Sequence, residues 1–365
     1  MKIQIALVSK ETLPVFYMIN EFLPDVVYLV GTAQTAEEMD NIEKAAQKIN
    51  VRCEKRVTKP DDMKDSYNVC EGIVTENGTD NEYCFNLTCG TKLMAFSALV
   101  CAQAHKAKVV YSDTAFYTDF DTMERKPITR MLDIDTIIAL QGQKVKEKVV
   151  YQYDPARTEC AKAVKDFVSY HVSAYAKLAK YYQKNGSIPK SFSTGAISYS
   201  CQKGRVVIKE NDIVIFSSDN YDAFKMLFSG RWWEDLVADA VHEWAGEGSE
   251  VWTSVRFEPK INAQTSMDKN EIDVLVNIGN ILLFLECKSG AFNQDNIYKL
   301  GSVCKTYGSY KSKGVIVSFR PDVITPALLE KAKEERVELI APVSKKTGKI
   351  NLTDKLNHIR KVQKS

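Results

Sequence analysis

The sequence predicts an α/β protein of two domains. Three observations predict it. A chain of 365 residues at 45% hydrophobic content can bury two separate cores. Up to about Gly142, short apolar runs alternate with amphipathic stretches, and after Ser191 that alternation gives way to clustered strands.

In the first half, Ile3–Val8, Val26–Val30, Tyr83–Leu87 and Lys108–Tyr111 are short apolar runs suited to strands buried on both faces. Leu13–Phe22, Ala36–Ile49 and Thr91–His105 carry the helical period between them. This grammar predicts a parallel sheet with helices on both faces. Charge then clusters in Gln143–Lys148, and Asp154-Pro155 opens a helical pattern that runs to Lys184 before Asn185-Gly186 stops it. The expected division is residues 1–148 for the first domain, 149–190 for a helical linker and 191–365 for the second domain. In the second domain a helix over Tyr221–Trp244 precedes strands at Glu250–Phe257, Glu271–Ile278 and Asn280–Cys287. Gly279-Asn280 is a hairpin turn between the last two, and a helix (Asn296–Tyr307) and a strand (Gly314–Phe319) follow. All four tryptophans (Trp232, Trp233, Trp244, Trp252) lie in this half, consistent with a separate core.

Lys+Arg 49 against Asp+Glu 47 gives a net charge of +2, so any nucleic-acid contact must come from a local patch. Nine scattered cysteines, odd in number and without a C-x-x-C pair, argue against a zinc ribbon or a disulfide framework and imply reduced thiols. No run approaches the roughly 18 apolar residues of a membrane span, and the N-terminus lacks the apolar core of a signal peptide. The expectation is a cytoplasmic protein with no membrane partner. The first half also lacks the glycine patterns of a dinucleotide turn and of a P-loop.

The chemistry-bearing segment is Ile281–Gly290, where five apolar residues lead into Glu286. The period of two along a strand places Glu286 and Lys288 on one face, and a hairpin would fold Asp273 back beside them. Two carboxylates and the Cys287 carbonyl are the oxygen ligands that Mn²⁺ or Mg²⁺ prefers, and Lys288 could stabilise charge at a scissile phosphate. The triplet alone means little, because it recurs at Asp62–Lys64, Glu124–Lys126 and Glu258–Lys260. Its context, a buried strand before it and an Asp one strand back, separates Glu286–Lys288 from an ordinary strand-end ion pair.

Asp273, Glu286 and Lys288 together resemble the PD-(D/E)xK restriction-endonuclease-like superfamily over roughly residues 190–345. The resemblance implies a metal-dependent nuclease with catalytic Glu234, Asp273, Glu286 and Lys288 and metal ligands Asp273, Glu286 and Cys287. Glu234 enters through Gly230-Arg-Trp-Trp-Glu234, where the family often carries a carboxylate on its first core helix. Gln294-x-x-x-Tyr298 resembles an accessory motif of some members, and Glu271 shares a strand face with Asp273.

In the first half, Asn86-Leu-Thr-Cys-Gly-Thr-Lys92 runs from a strand through a small polar loop into a helix, and Ser9-Lys-Glu-Thr12 follows the first strand. Backbone N–H groups, hydroxyls and an ammonium at a helix N-terminus suit an anionic ligand, although residue types alone favour helix capping by Ser9, Thr12 and Thr91 over ligand binding. The Asn86–Lys92 loop resembles the signature of CRISPR-associated Rossmann-fold (CARF) sensor domains, with Cys89 where that family usually has Gly. With the C-terminal motif, the whole chain resembles the ancillary nucleases of type III CRISPR systems. That resemblance implies a homodimer that binds cyclic tetra-adenylate and then cuts DNA or RNA. The effector-binding residues it implies are Ser9, Lys10, Thr12, Thr88, Cys89, Gly90, Thr91 and Lys92. The alternative is a ligand-responsive nucleic-acid-binding regulator with an inactive nuclease fold. The helix from Pro155 to Lys184, starting where the sensor ends, is the expected lever between the two halves.

Overall fold

The computed structural model describes residues 1–113, 115–186, 190–220, 222–258, 271–342 and 351–364. Its first unit is a seven-stranded sheet in the order β3-β2-β1-β4-β5-β6-β7. The strands are β1 (Lys2–Leu7), β2 (Val26–Gly31), β3 (Arg52–Val57), β4 (Glu82–Asn86), β5 (Lys108–Ser112), β6 (Phe116–Asp119) and β7 (Glu124–Pro127). β1 to β5 are parallel, and β6 and β7 extend the edge as antiparallel partners. The crossovers are α1 (Leu13–Phe22), α2 (Ala36–Lys48), α3 (Met63–Asn77) and α4 (Lys92–Ala104), with α5 (Ile134–Leu140) after the sheet. Both faces of the central strands are covered, which explains their unbroken apolar runs: β2 is buried at every position.

A six-stranded sheet of order β17-β16-β15-β14-β13-β8 forms the second unit. It contains β8 (Val145–Val150), β13 (Val251–Phe257), β14 (Glu271–Asn277), β15 (Leu282–Lys288), β16 (Lys313–Ser318) and β17 (Val337–Ile340). Around it lie α6 (Pro155–Tyr170), α7 (Val172–Asn185), α8 (Ala223–Ser229), α9 (Arg231–Ala245), α10 (Gln294–Tyr307), α11 (Pro326–Glu334) and α12 (Thr353–Lys364). A four-stranded antiparallel sheet is formed by β9 (Ser191–Thr194), β10 (Ile197–Gln202), β11 (Arg205–Glu210) and β12 (Ile213–Ser218). Among the described residues no helix is long and apolar enough to cross a membrane.

The expected hairpin is present. β14 and β15 pair antiparallel, and Gly279 (φ 82°) and Asn280 (φ 66°) turn the chain between them. Elsewhere the structure departs from the sequence expectations. The charged Gln143–Lys148 segment belongs mostly to β8, which pairs with β13 and joins the second sheet. Within the expected linker 149–190, the described stretch 149–186 is packed structure: α6 lies on α9, with Cys160, Val164 and Phe167 in the same apolar core as Trp232 and Leu285. Its helical pattern breaks at His171, whose backbone (φ −122°, ψ 47°) is not helical. The Tyr221–Trp244 pattern likewise divides at Gly230 into α8 and α9, and Tyr221 itself lies outside the described residues.

Candidate functional site

Asp273, Glu286, Lys288 and Glu234 meet at one end of the second sheet. The register Val274↔Leu285 places Asp273 and Glu286 one step further along, opposite each other on one face. The Asp273 Oδ2 accepts the Cys287 backbone N–H at 2.6 Å, and the Lys288 Nζ donates to the Glu286 Oε1 at 2.6 Å. Glu234 arrives from the first turn of α9, and tertiary packing positions it there. Trp232 and Trp233 are fully buried against Phe319, and the Trp233 indole N–H donates to the Val317 carbonyl on β16.

Gly230 allows that approach. Its φ is +76°, and a Cβ there would lie 2.7 Å from the Ser289 Oγ just beyond Lys288. Gly230→Ala is expected to cost about 1–2 kcal/mol from the left-handed backbone alone, and to slow cleavage by displacing Glu234. Denaturant melts and single-turnover rates check both.

The centre is crowded with desolvated acid. Burial, then the Glu286 and Glu234 charges, hold the Asp273 carboxyl well above the usual range. Burial also pushes Glu234 up to about 7, against the Arg231 charge and with Asp235, Glu271 and Glu286 reinforcing it. For Lys288, burial opposes the ammonium, but Glu286 and Asp273 outweigh it and keep the group protonated. Between a free glutamate's 4.5 and about 7, folded Glu234 holds more proton than the unfolded chain does. Its contribution to stability is therefore lost as pH rises through that window. The metal-free protein is expected to melt at lower temperature near pH 7.5 than near pH 5, with Glu234→Gln flattening the dependence; melts in chelator check it.

Beside the acids opens a cleft of about 590 Å³ lined by Tyr153, Arg157, Arg231, Glu234, Ser254 and Asp273 among others. Ser254 (φ 50°) sits where the β13 ladder is irregular, a local distortion beside the cleft. Arg157 is held by Asp235 in two 2.9 Å hydrogen bonds, while Asp239 accepts from Tyr151 and, at 2.7 Å, from Thr158. These pairs fix α6 to α9 and escaped the sequence reading. The only hint was Asp235 and Asp239 at helical spacing. Glu271 is engaged by Arg256 at 3.2 Å, and Gln294 is exposed and forms no hydrogen bond to the acids among the described residues. Lys260 of the Glu258–Lys260 triplet lies outside the described residues.

A second constellation lies in the first sheet. β1 and β4 are neighbours, yet β2 and β3 lie on one side and β5 on the other, so the loops after β1 and β4 open a switch-point crevice. The two loops touch: the buried Cys89 thiol donates to the Glu11 carbonyl at 3.3 Å. Gly90 (φ +81°) comes close to Leu7. The left-handed position is thus Gly90, and Cys89 is accommodated as a small buried side chain. Thr12 is buried with its hydroxyl donating to the Leu140 carbonyl, so it and Cys89 point inward. Lys10, Thr91 and Lys92 are exposed at the crevice, with Ser9, Thr88 and Gly90 half-buried, and Lys92 forms no ion pair among the described residues. Thr91 caps α4 through the Met94 N–H, as its residue type suggested. Asn86, the first residue of the signature loop, and Ser112, not singled out from sequence, both hydrogen-bond Thr88.

Residues 3–141 match the family described as the Card1 CARF domain, and residues 222–359 match the Card1-like endonuclease domain. The chain thus carries a Card1-type CARF domain followed by a Card1-like endonuclease domain. Two solved structures share this fold over essentially their whole length. Can2 from Sulfobacillus thermosulfidooxidans, in complex with cyclic tetra-adenylate, has a TM-score of 0.74 at 17% identity, covering 100% of both chains. VC1899 from Vibrio cholerae has a TM-score of 0.75 at 15% identity, covering 100% of this chain and 98% of its own. A type III CRISPR defence DNA nuclease activated by cyclic oligoadenylate follows at 0.58 and 17% identity, over 87% of this chain and 45% of that one. Among curated proteins no sequence match was found.

Proposed function

We propose that this chain is a metal-dependent nuclease of type III CRISPR defence, switched on by cyclic oligoadenylate and acting on DNA, RNA or both. The observation that carries this reading is the meeting of Asp273, Glu286, Lys288 and Glu234 beside an open cleft, in a chain whose other sheet presents an exposed cationic crevice. Oxygen donors crowded at a desolvated point, with Lys288 as their close cation, fit a hard divalent ion. Asp273, Glu286 and the Cys287 carbonyl would hold Mn²⁺ or Mg²⁺. Such an ion supplies Lewis-acid charge at the scissile phosphate and acidifies water. Lys288, kept protonated, orients toward the developing negative charge, and Glu234 titrates in the range useful for moving a proton.

Can2 binds cyclic tetra-adenylate, and the same ligand suits the crevice of Ser9, Lys10, Thr88, Gly90, Thr91 and Lys92 here. A ring of four repeats is matched by two copies of that crevice across a two-fold axis, one effector per homodimer. Leu93, Phe96 and Val100 form an exposed apolar stripe along α4, whose first turn carries Lys92, and they supply a surface for such pairing. The deciding experiment is incubation with Mn²⁺, labelled DNA and labelled RNA, with and without cyclic tetra-adenylate. Effector-dependent cutting supports the reading, whereas effector-dependent binding without cutting would leave the inactive-fold regulator.

Lys92→Ala removes one charge-assisted contact, about 1.5–3 kcal/mol. It is expected to raise the effector concentration needed for half-activation about tenfold or more, with the maximal rate nearly unchanged. An effector titration checks it, and a lost maximal rate would place this loop elsewhere in the mechanism.

A further inference from the structure

We propose that Glu71, Cys101 and His105 form a zinc site that clamps α3 to α4, apart from the nuclease centre. Cys101 lies in the last turn of α4 and His105 is its C-cap four residues on, and Glu71 faces them from α3. The Glu71 Oε2 lies 2.8 Å from the His105 Nε2 and 3.7 Å from the Cys101 Sγ, and the three donor atoms all fall within 4.8 Å of one another. A tetrahedral zinc with bonds of about 2.0–2.3 Å needs donor separations of about 3.3–3.6 Å. Reaching it means widening the Glu71–His105 pair from 2.8 Å by about 0.5 Å and closing Cys101 and His105, which lie within 4.8 Å, by at most about 1.2 Å through side-chain rotation.

The donor set selects the metal. One sulfur, one imidazole nitrogen and one carboxylate oxygen suit Zn²⁺, while the all-oxygen preference of Mg²⁺ excludes it here. Cys101 is fully buried and forms the floor, whereas Glu71 (35% exposed) and His105 (20%) form the rim, so an ion can enter and water can complete the shell. Binding releases the Cys101 thiol proton to solvent and takes His105 as neutral imidazole. The Tyr67 hydroxyl donates to the Glu71 carboxylate at 3.2 Å and is positioned to orient it. The bound ion would anchor the far end of the helix whose first turn holds Lys92.

The test uses the full-length protein, stripped with chelator and titrated with Co²⁺ as a spectroscopic stand-in for zinc. The expected result is a near-ultraviolet thiolate-to-cobalt band with tetrahedral visible bands at one Co²⁺ per chain, removed by Zn²⁺ in competition. Cys101→Ser abolishes the thiolate band, and His105→Asn, at a partly exposed rim position, weakens binding about tenfold or more. Glu286→Ala leaves the band unchanged, separating this site from the nuclease centre. Absence of the band in the wild type, its survival in Cys101→Ser, or unchanged affinity in His105→Asn would each overturn the proposal.

Discussion

Glu286→Ala is expected to lower effector-stimulated cleavage by about 10³-fold or more, and Asp273→Asn to do nearly the same. Each removes one of two carboxylates that share a face of the β14–β15 hairpin, and Asp273 is also the acceptor of the Cys287 N–H. The same changes should not unfold the protein. Burial, and after it the Glu286 and Glu234 charges, raise the Asp273 carboxyl, so removing one negative charge relieves the repulsive part in the metal-free site. Single-turnover rates at saturating Mn²⁺, thermal melts and effector-binding calorimetry should therefore show lost cutting and unchanged binding in both variants, with an equal or higher melting temperature for Asp273→Asn, since Glu286→Ala also takes the close carboxylate from Lys288. Wild-type rates in either variant would remove these residues from the mechanism.

Asn280→Gly is expected to cost about 1–3 kcal/mol of stability and to reduce the ratio of activated to basal cutting several-fold. The expected lever, the helix from Pro155 to Lys184, is instead two helices, the first bonded to α9 within the second unit. Beside the shared apolar core and the Ile134 N–H to Glu250 bond, contact between the units runs through the tip of the β14–β15 hairpin. The Asn280 side chain accepts the Leu132 N–H at 2.7 Å, and its carbonyl accepts the Tyr17 hydroxyl at 3.1 Å. Asn277 donates to the Leu132 carbonyl at 2.6 Å. Tyr17 lies on α1, directly after the Ser9–Thr12 loop, while Asp273 and Glu286 lie at the other end of the hairpin. Glycine keeps the left-handed backbone of Asn280 and deletes only the side chain, leaving a buried N–H without its partner. An activation ratio equal to wild type, at matched effector occupancy, would place the coupling elsewhere.

Local pattern made much of this molecule legible. The parallel β1, β2, β4 and β5, the β14–β15 hairpin and the shared face of Glu286 and Lys288 follow from apolar runs, one Gly-Asn turn and a period of two. The charged strands β3 and β8 were not legible, because an edge strand exposes its residues and carries no apolar run to betray it. α3, which contributes Glu71, was likewise unmarked: its apolar stripe is interrupted by polar residues.

What the sequence by itself determined is the chemistry available: three carboxylates and a lysine suited to a divalent metal, and two polar loops after strands. Only the tertiary structure decided which of those groups face outward. Thr12 and Thr91 are both threonines beside helix starts, yet Thr12 is buried with its hydroxyl on the Leu140 carbonyl across 128 residues, while Thr91 stays exposed at the crevice with its hydroxyl on the Pro60 carbonyl at 2.6 Å. Glu271 and Asp273 share one strand face, yet Arg256 engages the first and the Cys287 N–H takes the second. The physical reason is the same in each case: a hydrogen-bond donor or acceptor is committed by whatever distant backbone the fold brings within about 3 Å of it, and no local period encodes that neighbour.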